Sequence, residues 1–230
     1  NIKVEGLGGT GAKVELTGGK IYVNVPDTRT ANADLTWSGA ESSVWNTADA
    51  KNFNNDGSND VFILGDKVIF DDNASNTSVA IKGAVSPSSV TFNNDKNNYT
   101  ISGDSIIGKT SFTKNGKGSV TLNNINRYIG GTNINAGTVV VSSLANSDGV
   151  DNGALGNISS PININGGATL SIAKEGTMSQ TINIGTGGGA TLNIPTGTVL
   201  MKNASILGSG DVIKTGNGQF SLYSGNKIKR

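Results

Sequence analysis

The chain has 230 residues, is rich in glycine and asparagine, with 33 Gly and 30 Asn, and contains neither Cys nor His. The absence of these two residue types excludes disulfide frameworks, thiol nucleophiles, Cys-type zinc sites and Ser-His-Asp triads. Only 15% of the residues are charged and the net charge is +1. This balance argues against a charged disordered tail and gives no reason to expect nucleic acid as a partner.

The sequence begins at Asn1 without an initiator Met, and no run approaches the roughly 20 apolar residues of a membrane span. We expect a soluble piece, excised or processed from a longer protein, that does not itself insert into a membrane. A Cys-free composition rich in Asn, Gly, Ser and Thr favours an extracellular location.

Helical periodicity is absent, because Gly or Asn interrupts nearly every window in which apolar residues would have to recur at helical spacing. Residues 1–33 contain a predicted hairpin of Ala12–Leu16 and Lys20–Val25, which forms a cap or the tail of a preceding domain. Residues 34–60 hold both tryptophans in a loop region rich in Asn, Asp and Ser. Residues 142–160 are the longest stretch without a strand signal and are expected to form a protruding loop.

The rest of the chain consists of short runs rich in Val, Ile, Thr and Leu, each followed by a turn cluster and spaced by about ten residues. This pattern predicts an all-β fold. The predicted strands are Lys67–Phe70, Ser78–Ile81, Ser89–Phe92, Tyr99–Ile101, Ser119–Leu122, Thr138–Val141, Pro161–Ile164, Ala168–Ile172, Gln180–Ile184, Ala190–Ile194, Thr198–Met201, Asp211–Ile213 and Gln219–Leu222.

The sequence also repeats itself with a period of about 20 residues. Ile162–Ile172 recurs as Ile182–Ile194, and Thr132–Val139 is a third, shorter copy. Such a period, with two or three short strands per repeat, predicts a parallel β-helix whose stacked coils bury alternate residues and align Asn side chains in ladders. We expect about eight coils between residues 60 and 222. A β-sandwich is the competing all-β interpretation.

One repeat, within residues 108–141, has a specific pattern. It resembles the autotransporter-associated β-strand repeat, in which Leu-x-Lys-x-Gly-x-Gly-x-Leu-x-Leu and a polar stretch precede Tyr-x-Gly-x-Thr-x-Ile and Gly-x-Leu. Residues 208–222 repeat the first half of this pattern, and residues 34–72 resemble the lead-in found before such repeats. The matching positions are Phe112, Lys114, Gly116, Gly118, Val120, Leu122, Tyr128, Gly130, Thr132, Ile134, Gly137 and Val139, and in the partial copy Lys214, Gly216, Gly218, Phe220 and Leu222.

The resemblance implies a parallel β-helix, assigned to residues 34–230, in a protein secreted by a Gram-negative bacterium or exposed on its outer-membrane surface. It implies no activity. We therefore expect a non-catalytic structural module, similar to an autotransporter passenger, that presents a partner domain. Flanking domains of a larger exported protein are its expected partners, and no catalytic residue, cofactor or metal is predicted.

Trp37 and Trp45 are candidate glycan-binding residues, since aromatic faces suit the apolar faces of sugar rings. In that alternative the chain is an accessory glycan-binding module of a polysaccharide-degrading enzyme, and its partner is a polysaccharide or a host-surface glycan. The competing interpretation is that the two rings form a lid on the first coil. A further alternative is an adhesin that binds through residues 142–160.

The charged residues suggest weaker hypotheses. An acidic group could supply oxygens to Ca²⁺, but its spacing matches no calcium loop, so turn-forming roles are expected. The same acids and Lys174-Glu175 are the local candidates for glycoside hydrolysis, and they form no recognisable catalytic arrangement. A small lysine cluster is expected on a solvated face, and Tyr128 at a structural corner. The acids are Asp56, Asp60, Asp66, Asp71 and Asp72; the lysines are Lys109, Lys114 and Lys117.

Overall fold

The computed structural model describes residues 13–24, 29, 31–146, 148–223 and 228–229. Within this part of the chain the regular elements are all β-strands, and no helix there is long and apolar enough to cross a membrane. Residues 1–12 and 25–28, which include both outer ends of the predicted N-terminal hairpin, lie outside the described residues.

The strands are short, as expected for a chain in which Gly and Asn punctuate every apolar run. They are β1 (Lys13–Thr17), β2 (Lys20–Asn24), β3 (Asp34–Trp37), β4 (Val44–Trp45), β5 (Phe53–Asn55), β6 (Ser58–Asp60), β7 (Lys67–Phe70), β8 (Ser78–Ile81), β9 (Ser89–Phe92), β10 (Tyr99–Gly103), β11 (Ile107–Gly108), β12 (Ser111–Lys114), β13 (Ser119–Leu122), β14 (Arg127–Tyr128), β15 (Thr132–Ile134), β16 (Thr138–Val141), β17 (Asn152–Gly153), β18 (Gly156–Asn157), β19 (Ile162–Ile164), β20 (Thr169–Ile172), β21 (Gly176–Met178), β22 (Ile182–Ile184), β23 (Ala190–Asn193), β24 (Thr198–Met201), β25 (Ile206–Gly208), β26 (Val212–Thr215), β27 (Gln219–Leu222) and β28 (Ile228–Lys229).

Three parallel sheets carry the fold. Sheet 1 contains β3, β7, β9, β12, β15, β19, β22, β25 and β28, with β5 and β6 added antiparallel beyond β3. Sheet 2 contains β4, β8, β10, β13, β16, β20, β23 and β26, and sheet 3 contains β21, β24 and β27. The parallel pair β11–β14 takes the third place in earlier coils. Because successive coils visit these sheets in the same order and pair in parallel, the chain is a parallel β-helix.

The stacking confirms the predicted repeats. Ile162 pairs with Ile182 and Leu170 with Leu192, so the self-similar segments lie directly above one another. The eight strands of sheet 2 are separated by seven turns, slightly fewer than the eight coils expected. In-register parallel pairing excludes the β-sandwich, whose strands would pair antiparallel. The hairpin β1–β2 is antiparallel, as predicted, with Thr17 opposite Lys20.

The core is a continuous column inside the coils. In β9, β12, β13 and β16 the second and fourth residues are buried and the first and third are partly exposed, which is the period-two alternation of a strand. The first coils are filled by aromatic side chains, and the later ones by Ile, Leu, Val, Met and Ala. The buried aromatics are Trp37, Trp45, Phe53, Phe62, Phe70, Phe92, Tyr99, Phe112 and Tyr128.

Asparagine ladders bind neighbouring coils on the outside of sheet 1, as the sequence predicts. The Nδ2 of Asn163 donates to the Oδ1 of Asn133 at 2.7 Å, and the Nδ2 of Asn183 donates to the Oδ1 of Asn163 at 2.8 Å. A second ladder follows the strand ends, where Asn135 donates to Asn115 at 2.8 Å and Asn165 donates to Asn135 at 2.5 Å. Asn163 and Asn135 thus each bond to the copies both below and above them.

Candidate functional site

The repeat pattern converges on one corner of the helix, between β12 and β13. Lys114 ends β12 at an inward-facing position, paired with Phe92 below and Ile134 above, and it is fully buried. Its Nζ turns into the corner and donates to the carbonyl oxygen of Gly116. The prediction of a solvated face is therefore wrong for Lys114, although Lys109 and Lys117 are exposed. Sequence reasoning missed that the lysine stands in an apolar row.

The glycines of the pattern allow the backbones of three coils to meet around this ammonium group. A Cβ at Gly116 would lie 2.1 Å from the carbonyl oxygen of Asn94 in the coil below. A Cβ at Gly137, in the coil above, would lie 2.4 Å from the carbonyl oxygens of Gly116 and Gly118 and 2.9 Å from the Nζ of Lys114. We call Lys114, Gly116, Gly118 and Gly137 the lysine corner.

The lysine corner holds a buried ammonium group with an unusual electrostatic environment. Burial lowers the pKa of Lys114 to about 8, although the charges of Asp95 and Asp72 act in the opposite direction. No salt bridge to Lys114 occurs among the described residues, so backbone carbonyl dipoles and distant carboxylates are what compensate its charge. Such a group holds the turn together and offers no open site to a substrate.

The second copy of the pattern builds the same turn at another corner. Lys214 is the third residue of β26 in sheet 2, and its Nζ donates to the carbonyl oxygens of Gly216, at 2.6 Å, and Gly218. Unlike Lys114, Lys214 is exposed. The two copies, which are 100 residues apart, therefore lie at different corners of the coil. The motif forms the same local turn at both corners.

Tyr128 occupies the next corner of the repeat and is fully buried, as its predicted structural role requires. Its hydroxyl forms a 2.7 Å hydrogen bond with the Oγ1 of Thr132, and its ring lies 2.8 Å from where a Cβ on Gly156 would be. The Oγ of Ser160 donates to its carbonyl oxygen at 2.9 Å. Burial raises the pKa of the Tyr128 hydroxyl, so it stays protonated and does not act as a base.

The two tryptophans lie in an aromatic cluster at the start of the helix. Both have no exposed surface. Trp37 packs edge-on against Phe53, with ring centroids 5.2 Å apart, and Trp45 packs edge-on against Phe62 at 5.6 Å. No ring face is open to a sugar, so this geometry gives the glycan-binding hypothesis no support and favours the lid.

The predicted acidic group is divided among separate structural roles. Asp66 is fully buried and accepts hydrogen bonds from Arg29, Ala33 and Ile63 at 2.8–2.9 Å. Asp72 accepts from the backbone N–H groups of residues 95–97, and the Asn97 N–H is the main cause that lowers its pKa. Within the described ranges, no group of three or more acidic side chains could hold a metal ion.

Residues 142–160 form an insertion between β16 and β19. The prediction that this segment protrudes holds only for its tip, because Ala145, Ala154 and Leu155 are buried against the helix. At the tip Val150 is 47% exposed, and the carboxylate of Asp148 lies 2.6 Å from the Nζ of Lys202. The insertion is thus anchored on both sides of a small exposed turn.

Comparison with known proteins identifies the repeat. The model of the passenger-associated-transport-repeat matches residues 112–141, which contain the lysine corner and Tyr128. These residues are an autotransporter passenger repeat. The chain is also 32% identical over 122 residues to the protein named "Adhesin BmaC autotransporter" from Brucella suis biovar 1 (strain 1330). That match covers 50% of this chain and 4% of the relative. No solved structure matches the chain significantly.

The passenger repeat and the relative indicate the setting of the chain. Both point to an extracellular or outer-membrane-surface location in a Gram-negative bacterium. They also indicate a module of a surface protein. The match spans only a small part of the relative, and nothing in these similarities assigns a substrate or a ligand.

Proposed function

We propose that residues 34–230 act as a non-catalytic β-helical spacer that carries and presents a neighbouring domain of the same exported protein. In this proposal residues 1–33 are a hairpin cap or the tail of a preceding domain. The observation that carries this proposal is that the polar residues of the passenger repeat are buried and hydrogen-bonded inside the helix. Lys114, Tyr128 and Thr132 are all buried and bonded within or between coils, so they stabilise the rod instead of forming a site.

A continuous core supports the same role. Buried apolar side chains extend from Leu35 in the first coil to Ile206 near the last one, and adjacent coils are joined by parallel ladders and Asn ladders. A rod held by nearest-neighbour contacts separates its two ends at a fixed distance. This is the mechanical property that a presenting module needs.

Surface display tests the proposal. The chain is placed between an outer-membrane display anchor and an epitope, and epitope accessibility on intact cells is measured by antibody labelling. We expect full labelling with the native chain and strong loss with Gly116→Ala, which unpacks the lysine corner. Gly83→Ala, at an open turn, is the matched control and should label like the native chain. Equal labelling with Gly116→Ala, in cells where that variant is shown to be unfolded, would refute the spacer.

An adhesin role is the second candidate function, favoured by the relative's name and by the exposed tip of the insertion. Beads coated with the purified chain would be tested on host cells and on extracellular matrix. Specific adhesion that is lost when residues 146–151 are replaced by Gly-Gly would support the adhesin. Adhesion unchanged by this replacement, or none from the folded chain, would count against it.

A further inference from the structure

The chain contains four Asn-Gly dipeptides, which begin at Asn115, Asn152, Asn165 and Asn217. In such a dipeptide the backbone nitrogen of the glycine can attack the Cγ of the asparagine, because glycine has no Cβ to obstruct the approach. A five-membered succinimide ring forms and ammonia leaves, and water then opens the ring to aspartate or isoaspartate. The attack requires a glycine nitrogen that is free to move, so the surroundings of each glycine decide which site reacts.

The structure holds the glycine firmly at three of the four sites. Gly116 donates its N–H to the carbonyl oxygen of Phe92 at 3.3 Å, and Gly218 donates to that of Ile194 at 2.9 Å. Gly153 belongs to the paired strands β17 and β18. All three glycines are also buried. Their nitrogens can therefore reach the preceding side chain only after the local structure opens.

Gly166 differs from the other three, because its N–H has no hydrogen-bond partner among the described residues. It is half-buried and lies in the turn between β19 and β20, where the N–H of Ala168 donates to the carbonyl oxygen of Asn165 at 3.1 Å. The next residue, Gly167, has a φ of 82° and open space around it. The nucleophile at this site is therefore less restrained than at the others.

The side chain of Asn165 is also less restrained, because it ends the second asparagine ladder. Asn115 is bonded on both sides, since it donates to Asn93 at 2.9 Å and accepts from Asn135 at 2.8 Å. Asn165 donates to Asn135, but the next rung is Gly185, which has no side-chain amide. No donor to the Oδ1 of Asn165 occurs within the described ranges. Rotation towards the following nitrogen therefore breaks one amide hydrogen bond here and two at Asn115.

We propose that Asn165 is a site of spontaneous deamidation, with the nitrogen of Gly166 as nucleophile and water as the co-reactant. The bond from this nitrogen to the Cγ of Asn165 forms, the bond from Cγ to Nδ2 breaks, and the proton lost by Gly166 leaves with the ammonia. Aspartate at this position lacks the donor to Asn135 and places a carboxylate against its Oδ1, so the ladder bond is lost. The inference concerns one turn and stands whether or not the chain presents a partner domain.

The test incubates the purified folded chain at pH 9 and follows the Asn-Gly peptides by mass spectrometry, which detects the replacement of NH₂ by OH. We expect Asn165 to react at least about tenfold faster than Asn115 and Asn217, since those two sites react only after local opening. In guanidinium chloride, where the chain is unfolded, the rates should become similar. The unfolded chain thus separates the effect of the fold from that of the local sequence.

The matched control is Asn165→Gln, whose longer side chain would have to form a six-membered ring and should not react on this timescale. Asn115 and Asn217 should keep their native rates in this variant. Equal rates at Asn165, Asn115 and Asn217 in the folded native chain, or a slower rate at Asn165, would overturn the proposal. It would also be wrong if Asn165 stayed intact in the folded chain for as long as the unfolded chain takes to react completely.

Discussion

At the scale of single residues, close approach between coils explains the glycines of the passenger repeat. Gly116→Ala should destabilise the protein by about 2–3 kcal/mol, because its Cβ would overlap the Asn94 carbonyl and the coils would have to separate. Gly83→Ala should cost only about 1 kcal/mol, because Gly83 has a φ of 74° but open space around it. Urea unfolding measures the free energy of unfolding of both variants, and their difference separates the effect of packing from the effect of backbone conformation. Similar losses in both would show that conformation alone matters.

The buried charge of Lys114 makes stability depend on pH. Its pKa is about 8 in the folded chain and 10.5 ordinarily, so between these values the unfolded chain holds more protons at this residue. The free energy of unfolding should therefore rise with pH across that window, by about 3 kcal/mol from this group. Below pH 8 Lys114 is protonated in both the folded and the unfolded chain, so the full cost of burying its ammonium group lowers the free energy of unfolding.

This dependence is measured by urea unfolding at pH 7 and pH 10. Lys114→Met removes the titrating group and should lack the rise, whereas Lys109→Met, an exposed lysine in the same predicted cluster, should retain it. If native chain and Lys114→Met changed in parallel between the two pH values, the ammonium group would not be desolvated as the structure indicates.

At the scale of elements, the two tryptophans of the aromatic lid differ in the hydrogen bonding of their indole N–H groups. The Nε1 of Trp37 donates to the carbonyl oxygen of Asn76 at 2.7 Å, whereas the Nε1 of Trp45 is buried without a partner among the described residues. Trp37→Phe should therefore cost about 1–2 kcal/mol more than Trp45→Phe, since only the first loses a hydrogen bond and strands an acceptor.

Acrylamide quenching of the single-tryptophan variants checks the lid directly. Both remaining tryptophans should resist quenching, and the difference in stability should appear in urea unfolding. Strong quenching of either ring would show that it is exposed and would support its role as a glycan-binding residue. A larger loss of stability in Trp45→Phe than in Trp37→Phe would contradict the hydrogen-bond assignment.

The sequence predicted the elements that have strong period-two alternation, and it missed those that depend on their neighbours. Ser89–Phe92 and Ser119–Leu122 agree with the structure to the residue. Ser111–Lys114 was missed as a strand because its second inward residue is charged, and only the covering coil makes that lysine a core residue. The burial of Trp37 and Trp45 likewise depends on Phe53 in β5, whose polar sequence carries no strand signal, and on Phe62 for Trp45.

At the scale of the whole molecule, a stack of coils should be least stable at its uncovered end. Each coil contacts its neighbours alone, so a middle coil is held from both sides, whereas β26 and β27, which end their sheets, are held from one. Amide hydrogen exchange followed by mass spectrometry should show β26 and β27 exchanging at least about tenfold faster than β13 and β16.

The exchange rates of β13, β16, β26 and β27 can be compared directly because all four strands have similar length and parallel pairing. They differ chiefly in whether another coil lies above them. Gly116→Ala should lower the protection of β13 and β16 and leave the protection of β26 and β27 almost unchanged, because its clash lies several coils away from them. Uniform exchange along the helix would instead mean that the rod opens only as a single unit, and nearest-neighbour coupling would then have to be strong enough to transmit the disturbance from one end to the other.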